Sequence, residues 1–158
     1  MSHAPNAFET MQGHSPPSVT QLSVFLDNRV GKLLDIVEAF EESPDCRLCA
    51  LSVHEASDFA VVRIISNNSR VAKEIVRART PAYCETEVLV VELESGHSLG
   101  MVCLFLLNAE LNIKFAYPLM SEAHHATRIA LAIDDLHMGG MVLRRKGFIL
   151  RGECDLLD

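Results

Sequence analysis

The stretch QLSVFLDNRVGKLLDIV, residues 21–37, decides the fold, because it joins a strand to a helix through a short loop that contains a glycine. Apolar and polar residues alternate over 21–26, which is typical of a strand with one strongly buried face, and the spacing then becomes helical. A second stretch, VLVVELESGHSLGMVCLFLL at residues 88–107, repeats this order. We align the two copies on Gly31 and Gly100. The chain therefore carries two copies of one small unit.

Each copy continues in the order helix, strand, strand, helix and strand. Copy one has predicted strands at 47–54 and 59–65, joined by a hairpin, and helices that end before Pro44 and Pro81. The predicted elements of copy two lie at 88–93, 99–109, 113–119, 126–133, 135–146 and 148–151. This βαββαβ order predicts an α+β fold of two ferredoxin-like units packed side by side, with antiparallel sheets and the helices on one face.

The expected organisation is a disordered leader over residues 1–19, one unit over 20–86 and a second over 87–158. A unit of about 70 residues buries too little surface to be very stable alone, so we expect the two to pack on each other. The repeat is too long for a solenoid. Function is expected where the units pair.

Bulk composition excludes several classes of partner. A formal net charge of −7 repels phosphate backbones and anionic lipid, so we expect neither nucleic acid nor a membrane surface as partner. The longest nearly continuous apolar run, residues 99–107, is far shorter than a membrane span. Five cysteines without regular spacing are typical of a compartment where thiols stay reduced. A cytoplasmic protein is the expectation.

No arrangement of residues supports catalysis. The sequence contains no nucleophile and base at recognisable spacing, no phosphate-binding loop and no zinc-protease motif. Cys46 and Cys49 lie in a predicted strand, where residues three apart point to opposite faces and cannot share a metal. We therefore expect no catalytic residue, no metal site and no cofactor.

The predicted helix at 99–107 has no polar side. A helix that is apolar all round is buried on more than one face, so we expect a second chain there, a homodimer, with Cys103 in the core. Gly139 and Gly140 fall inside the last helix, where each glycine costs about 1 kcal/mol relative to alanine. Their presence indicates close approach of another element.

The stretches at 23–33, 50–53 and 59–65 resemble a tandem ACT domain, the small regulatory fold found on amino-acid-controlled enzymes. The resemblance covers about residues 20–152. The arrangement of two such units without a catalytic domain is similar to that of free-standing bacterial double-ACT proteins. It implies a regulatory protein that binds an amino acid between units and signals to a partner enzyme. The family usually has proline before the glycine, where this chain has Val30 and Leu99.

The resemblance also implies a site. In ACT domains of serine-regulated enzymes, one asparagine comes from the loop before the glycine and another from the start of the second strand of the partner unit. Asn28 matches the first position and Asn112 the second, whereas copy one has Cys46 at the second position. The two asparagines lie on opposite repeats, as they would if paired repeats built one complete site. The implied ligand-binding residues are Asn28, Arg29, Val30, Gly31, Lys32, Leu33 and Asn112.

Simpler interpretations stay open. Asn28 is also a common turn residue, and Asn112 could cap the start of a strand. The sequence does not decide whether the second loop, His97, Ser98, Leu99 and Gly100, binds a ligand. A structural module that has lost its ligand is an alternative to the sensor, and a small enzyme with an unrecognised reaction is a third possibility.

Overall fold

A computed structural model describes residues 15–27, 29–122 and 125–157. The expected disordered leader falls mostly on residues 1–14, which lie outside the described residues. Residues 15–18 are described and precede the first strand directly. Within the described part of the chain, no helix is long and apolar enough to cross a membrane.

Unit 1 has the predicted order of elements. These are β1 (Val19–Asp27), α1 (Lys32–Glu41), β2 (Leu48–Ala56), β3 (Phe59–Ser66), α2 (Ser69–Arg77) and β4 (Tyr83–Leu93). Unit 2 uses β4 again as its first strand. It continues with α3 (Leu99–Asn108), β5 (Ile113–Pro118), β6 (Thr127–Ile133), α4 (Leu136–Arg145), β7 (Ile149–Arg151) and a 3-10 helix (Glu153–Leu157).

The strand β4 belongs to both units. Its first half pairs with β1, with Val88 opposite Val19, and its second half pairs with β6 and β7, with Val90 opposite Ala130 and Arg151. The sheet order is β2-β3-β1-β4-β6-β5, and all pairs are antiparallel. Each unit thus has the strand order of a ferredoxin-like βαββαβ motif, which confirms the predicted fold class.

The four α-helices of the described residues cover one face of this sheet. Leu22, Val24 and Leu26 of β1 pack with α1 and α2, and on β4 Leu89 and Val91 pack with α3 and α4. The other face forms a third apolar cluster to which both units contribute. Its members include Val19, Ala50, Ile65, Val88, Val90, Tyr117, Ala130 and Leu156. The sheet therefore curls around an inner core, with its helices outside.

Contacts across the inner face fix β5 of unit 2 against unit 1. The hydroxyl of Tyr117 donates a hydrogen bond of 2.5 Å to Oε1 of Gln21, and burial raises the pKa of Tyr117. The guanidinium of Arg63 lies 4.2 Å from the ring centre of Phe115. The sequence predicts one strongly buried face for β1, but Gln21 and Ser23 on its other face are also buried because unit 2 covers them.

The helix α3 differs from the expectation in one respect. Val102 and Leu106 are buried, but Cys103 is exposed, so the prediction that it lies in the core is wrong for the single chain. Residues four apart share a helix face, and the face opposite Val102 and Leu106 carries the exposed Leu104 and Leu107. The outer face of α3 is therefore mainly apolar, and the single chain leaves it exposed.

The close approach predicted at Gly139 and Gly140 is confirmed. A Cβ atom added at Gly139 would lie 2.0 Å from Cδ1 of Ile133, and one added at Gly140 would lie 2.3 Å from Cβ of Pro16. The two glycines let α4 approach β6 on one side and the segment before β1 on the other.

Glu92, near the end of β4, is a buried carboxylate held by two arginines. Its Oε2 accepts hydrogen bonds of 2.6 Å from Arg151 and 3.1 Å from Arg128. The bonds from Arg151, and then those from Arg128, lower the pKa of Glu92 against the opposing effect of burial. A depressed folded-state pKa contributes stability above the unfolded-state value of about 4.3, and this contribution is lost as pH falls through the folded-state pKa.

We expect Glu92→Gln to lower the free energy of unfolding by about 3 kcal/mol at pH 7, because it leaves two arginines without their carboxylate. The difference from the wild type should shrink as pH falls from about 5 towards 2, where the wild-type carboxylate also becomes neutral. Urea unfolding at several pH values measures both effects. Glu94→Gln, at an exposed carboxylate two residues further on, is the matched control and should change little. A difference independent of pH would contradict this account.

Candidate functional site

The loop between β1 and α1 is the first part of the predicted site. Arg29 and Val30 are exposed, and Gly31 has a φ of 92°, in the left-handed region that favours glycine. The amide of Arg29 donates to the carbonyl of Asp27 at 2.7 Å, which closes the turn. Asn28 lies outside the described residues. The loop thus presents its backbone to the surroundings at the start of α1.

The helix α1 begins differently from the other three. Side chains of Asn68, Ser98 and Asp135 cap α2, α3 and α4, whereas α1 begins at Gly31, which has no side chain to cap it. The amides of Leu33 and Leu34 have no hydrogen-bond partner among the described residues. Unpaired amides at a helix N-terminus attract a carboxylate, because they carry partial positive charge.

The second loop uses its polar groups internally. The hydroxyl of Ser98 accepts a hydrogen bond of 3.2 Å from the amide of Met101, and the ring of His97 lies 4.5 Å from that of Phe148. Gly100 lies inside α3, so its alignment with Gly31 is two residues out of register. The structural counterparts are the N-cap residues Gly31 and Ser98. An alignment on the glycines alone does not pair them.

Asn112 lies immediately before β5 and is exposed. Its backbone amide donates to Oδ1 of Asp134 at 3.2 Å. The backbone amide of Asp134 donates back to the backbone carbonyl of Asn112 at 3.3 Å. In unit 1 the same pair of bonds joins Arg47 to Asn67. The counterpart of Asn112 in unit 1 is therefore Arg47, one residue beyond the position that the sequence alignment assigned to Cys46.

Two strands that are not hydrogen-bonded to each other position the two halves of the predicted site. The strands β1 and β5, which position the loop and Asn112, are separated in the sheet by β4 and β6. Among the described residues, no hydrogen bond joins Asn112 to residues 29–33. The side-chain nitrogen of Asn112 donates to Oδ2 of Asp134 at 3.4 Å. The Oδ1 atom of Asn112 has no partner among the described residues.

A groove that the sequence did not predict lies where α1 ends. It has a volume of about 960 Å³, and we call it the seam groove because both units line it. Val37, Phe40 and Leu51 come from unit 1, and Met120 and Leu157 follow β5 and β7 in unit 2. Helical periodicity places Val37 and Phe40 inward on α1, but no local pattern places Met120 and Leu157 beside them.

The cysteines of the C-x-x-C segment are separated by the sheet. Cys46 belongs to the cluster under α1 and α2, whereas Cys49 belongs to the inner cluster. Burial raises the pKa of both thiols, which keeps them protonated. Within the described ranges, no group of three or more histidine, cysteine, aspartate or glutamate residues is placed to hold a metal ion.

Comparison with known proteins gives one family match and several structural neighbours. The family model described as ACT domain pair matches residues 17–133. Protein BT0572 from Bacteroides thetaiotaomicron is 24% identical with a TM-score of 0.76, over 89% of this chain and 96% of that chain. The ligand-free regulatory subunit of aspartate kinase from Thermus thermophilus is 10% identical with a TM-score of 0.53, over 84% and 94%.

The alpha and beta subunits of an aspartokinase are 11% identical with a TM-score of 0.51, over 81% of this chain and 90% of theirs. At these identities the likeness to solved structures is one of fold. The curated proteins give no match. The family match extends over more than half of the chain and includes the whole of unit 1 as well as β5 and β6. The chain therefore belongs to the family of ACT domain pairs.

Proposed function

We propose that this protein is a non-catalytic regulator that binds an amino acid at the loop before α1 and signals to an enzyme of amino-acid metabolism. The observation that carries the proposal is the helix α1, which has no side-chain cap at an exposed glycine loop. The fold shared with a regulatory subunit of aspartate kinase supports this class of partner. The composition of this chain and its free cysteines are consistent with a cytoplasmic protein.

In this proposal, residues 29–33 hold the carboxylate of the amino acid through their backbone amides. The side-chain oxygens of Asn28 and Asn112 accept hydrogen bonds from its ammonium group. The bond from Asn112 to Asp134 orients the asparagine so that its Oδ1 is available for this role. Each charge-assisted hydrogen bond contributes about 1.5 to 3 kcal/mol.

We further propose that two copies of the chain complete each site, the loop of one copy meeting Asn112 of the other. Each half of the site has an exposed apolar patch beside it. Val30 and Leu34 lie next to the loop, and Leu104 and Leu107 lie on α3 shortly before Asn112. Packing these patches together would pair unit 1 of one copy with unit 2 of the other, which gives one site per chain in a homodimer.

A structural module that has lost its ligand is the second candidate. It is favoured by Val30, which stands in place of the family's proline. It is also favoured by Ser98, whose hydroxyl accepts a hydrogen bond from an amide at the start of α3 that a ligand would otherwise use. Calorimetry across the amino acids separates the two candidates. No heat of binding with any amino acid at millimolar concentration would leave only the structural module.

Asn28→Ala and Asn112→Ala should each weaken binding of the cognate amino acid by roughly tenfold to a hundredfold. Each variant removes one acceptor for the ammonium group. Glu74→Gln, at an exposed side chain on α2, is the control and should bind as the wild type does. Cys46→Ala should also leave binding unchanged. Normal binding by Asn112→Ala would show that this residue is not part of the site.

Leu34→Glu and Leu107→Glu should each convert the homodimer to a monomer, because either change places a charge in the proposed interface. Light scattering measures the mass directly. Met138→Glu, at a residue 49% exposed on α4, is the matched control and should leave the dimer intact. A wild-type protein that is monomeric at every concentration would contradict the proposed interface.

A further inference from the structure

The seam groove is apolar and accessible. Phe40 forms part of its buried floor, while Met120 and Leu157 are 56% and 58% exposed at its edge. Exposed apolar groups around a concave surface are typical of an interaction site. Because Met120 and Leu157 belong to unit 2 and the floor to unit 1, a molecule in the groove would contact both units.

The end of α1 gives this groove an unusual charge. Glu41 and Asp45 line it, and the last turn of α1 contains no basic residue. By contrast, α2 ends with Arg77 and α4 with Arg144 and Arg145, as the negative end of a helix dipole favours. The carboxylates therefore add to the negative potential of the helix end instead of opposing it.

The nearby cations are already held by other groups. Arg47 also lines the groove, and its guanidinium donates to the carbonyl of Leu156 at 2.9 Å and lies 3.6 Å from the carboxylate of Glu122. Arg79 donates to the carbonyls of Asp35 and Ile75. A ligand with a positive charge would supply what the end of α1 lacks.

We propose that the seam groove docks a basic amphipathic peptide segment of a partner protein. Apolar side chains of that segment enter the groove, and its lysine or arginine side chains lie against Glu41 and Asp45. The proposal rests on the regulatory part of the proposed function and names the surface that the regulated partner contacts. The uncharged α3 face suits a second copy of this chain, whereas the acidic rim of the groove suits a basic partner.

Docking in this groove would depend on how the two units sit together. The 3-10 helix that carries Leu157 is fixed to unit 1 by the carbonyl of Leu156, which accepts from Arg47, and by Glu153, which accepts from the amide of Ser69. A change in this segment would move one edge of the groove relative to the other. The partner would thereby respond to the arrangement of the pair.

The test uses the full chain and a fluorescein-labelled amphipathic peptide of about 15 residues, with leucine at helical spacing and lysine elsewhere. One comparison peptide has glutamate in place of lysine, and another has serine in place of leucine. Fluorescence anisotropy should show that the leucine–lysine peptide binds at least about tenfold more tightly than either, and that its binding weakens with salt. Equal binding of the three peptides would overturn the proposal.

Variants separate the groove from the general negative charge of the protein. Glu41→Lys with Asp45→Lys should weaken binding of the leucine–lysine peptide at least about tenfold. Asp58→Lys with Glu110→Lys makes the same change in net charge at exposed positions elsewhere, and should have a much smaller effect. Equal loss in the two double variants would mean that the peptide responds only to net charge, which overturns the proposal.

The apolar contribution has its own matched pair. Met120→Ser should weaken binding of the same peptide about threefold, and Met138→Ser, at a similarly exposed methionine on α4, should not. No effect of Met120→Ser would overturn the proposal. So would light scattering that shows loss of the homodimer in Glu41→Lys with Asp45→Lys, because the groove would then be an interface between copies.

Amino-acid calorimetry on the same variants distinguishes this proposal from the proposed function. Normal amino-acid binding together with lost peptide binding supports a docking site separate from the ligand site. Peptide binding in a protein that binds no amino acid would retain the docking site and overturn the sensor. Amino-acid binding by a wild-type protein that binds no peptide would retain the sensor and overturn the docking site.

Discussion

The strand β4 is the constraint on which the rest of the structure depends. Its residues 88–92 are buried on both faces, by helices outside and by the inner cluster within. One half hydrogen-bonds to β1 and the other half to β6 and β7. Because one strand completes the first sheet and begins the second, neither unit has a full sheet without it. The curl of the sheet then brings β5 over β1, which buries Gln21 under Tyr117.

This arrangement gives the molecule three surfaces of different chemistry. The uncapped start of α1 presents amides, the outer face of α3 presents mainly apolar side chains, and the end of α1 combines an apolar groove with carboxylates. In the proposed regulator these serve a carboxylate ligand, a second copy and a basic partner. The start and the end of α1 are opposite ends of one short helix, so ligand and partner would act on the same element.

Local sequence patterns predict most of the fold because strands and helices follow from spacing within each segment. The glycine pair in α4 and the uniformly apolar α3 are readable in the same way. The pairing of distant residues is not. Asn112 corresponds to Arg47 only through bonds to Asp134 and Asn67, which come 22 and 20 positions later, respectively. Ser98 is the N-cap of α3, as Gly31 is of α1, but aligning the glycines pairs Gly31 with Gly100 instead. The seam groove depends on the curl of the sheet, which no local pattern predicts.

In the proposed regulator the two units form one coupled body through β4, because a signal must pass from one unit to the other. Hydrogen exchange measured by mass spectrometry, at increasing denaturant concentration, tests this directly. Strands β2 and β3 of unit 1 and strands β5 and β6 of unit 2 should lose protection with the same free energy and in the same transition. A denaturant concentration at which one unit has exchanged fully while the other remains protected would contradict it.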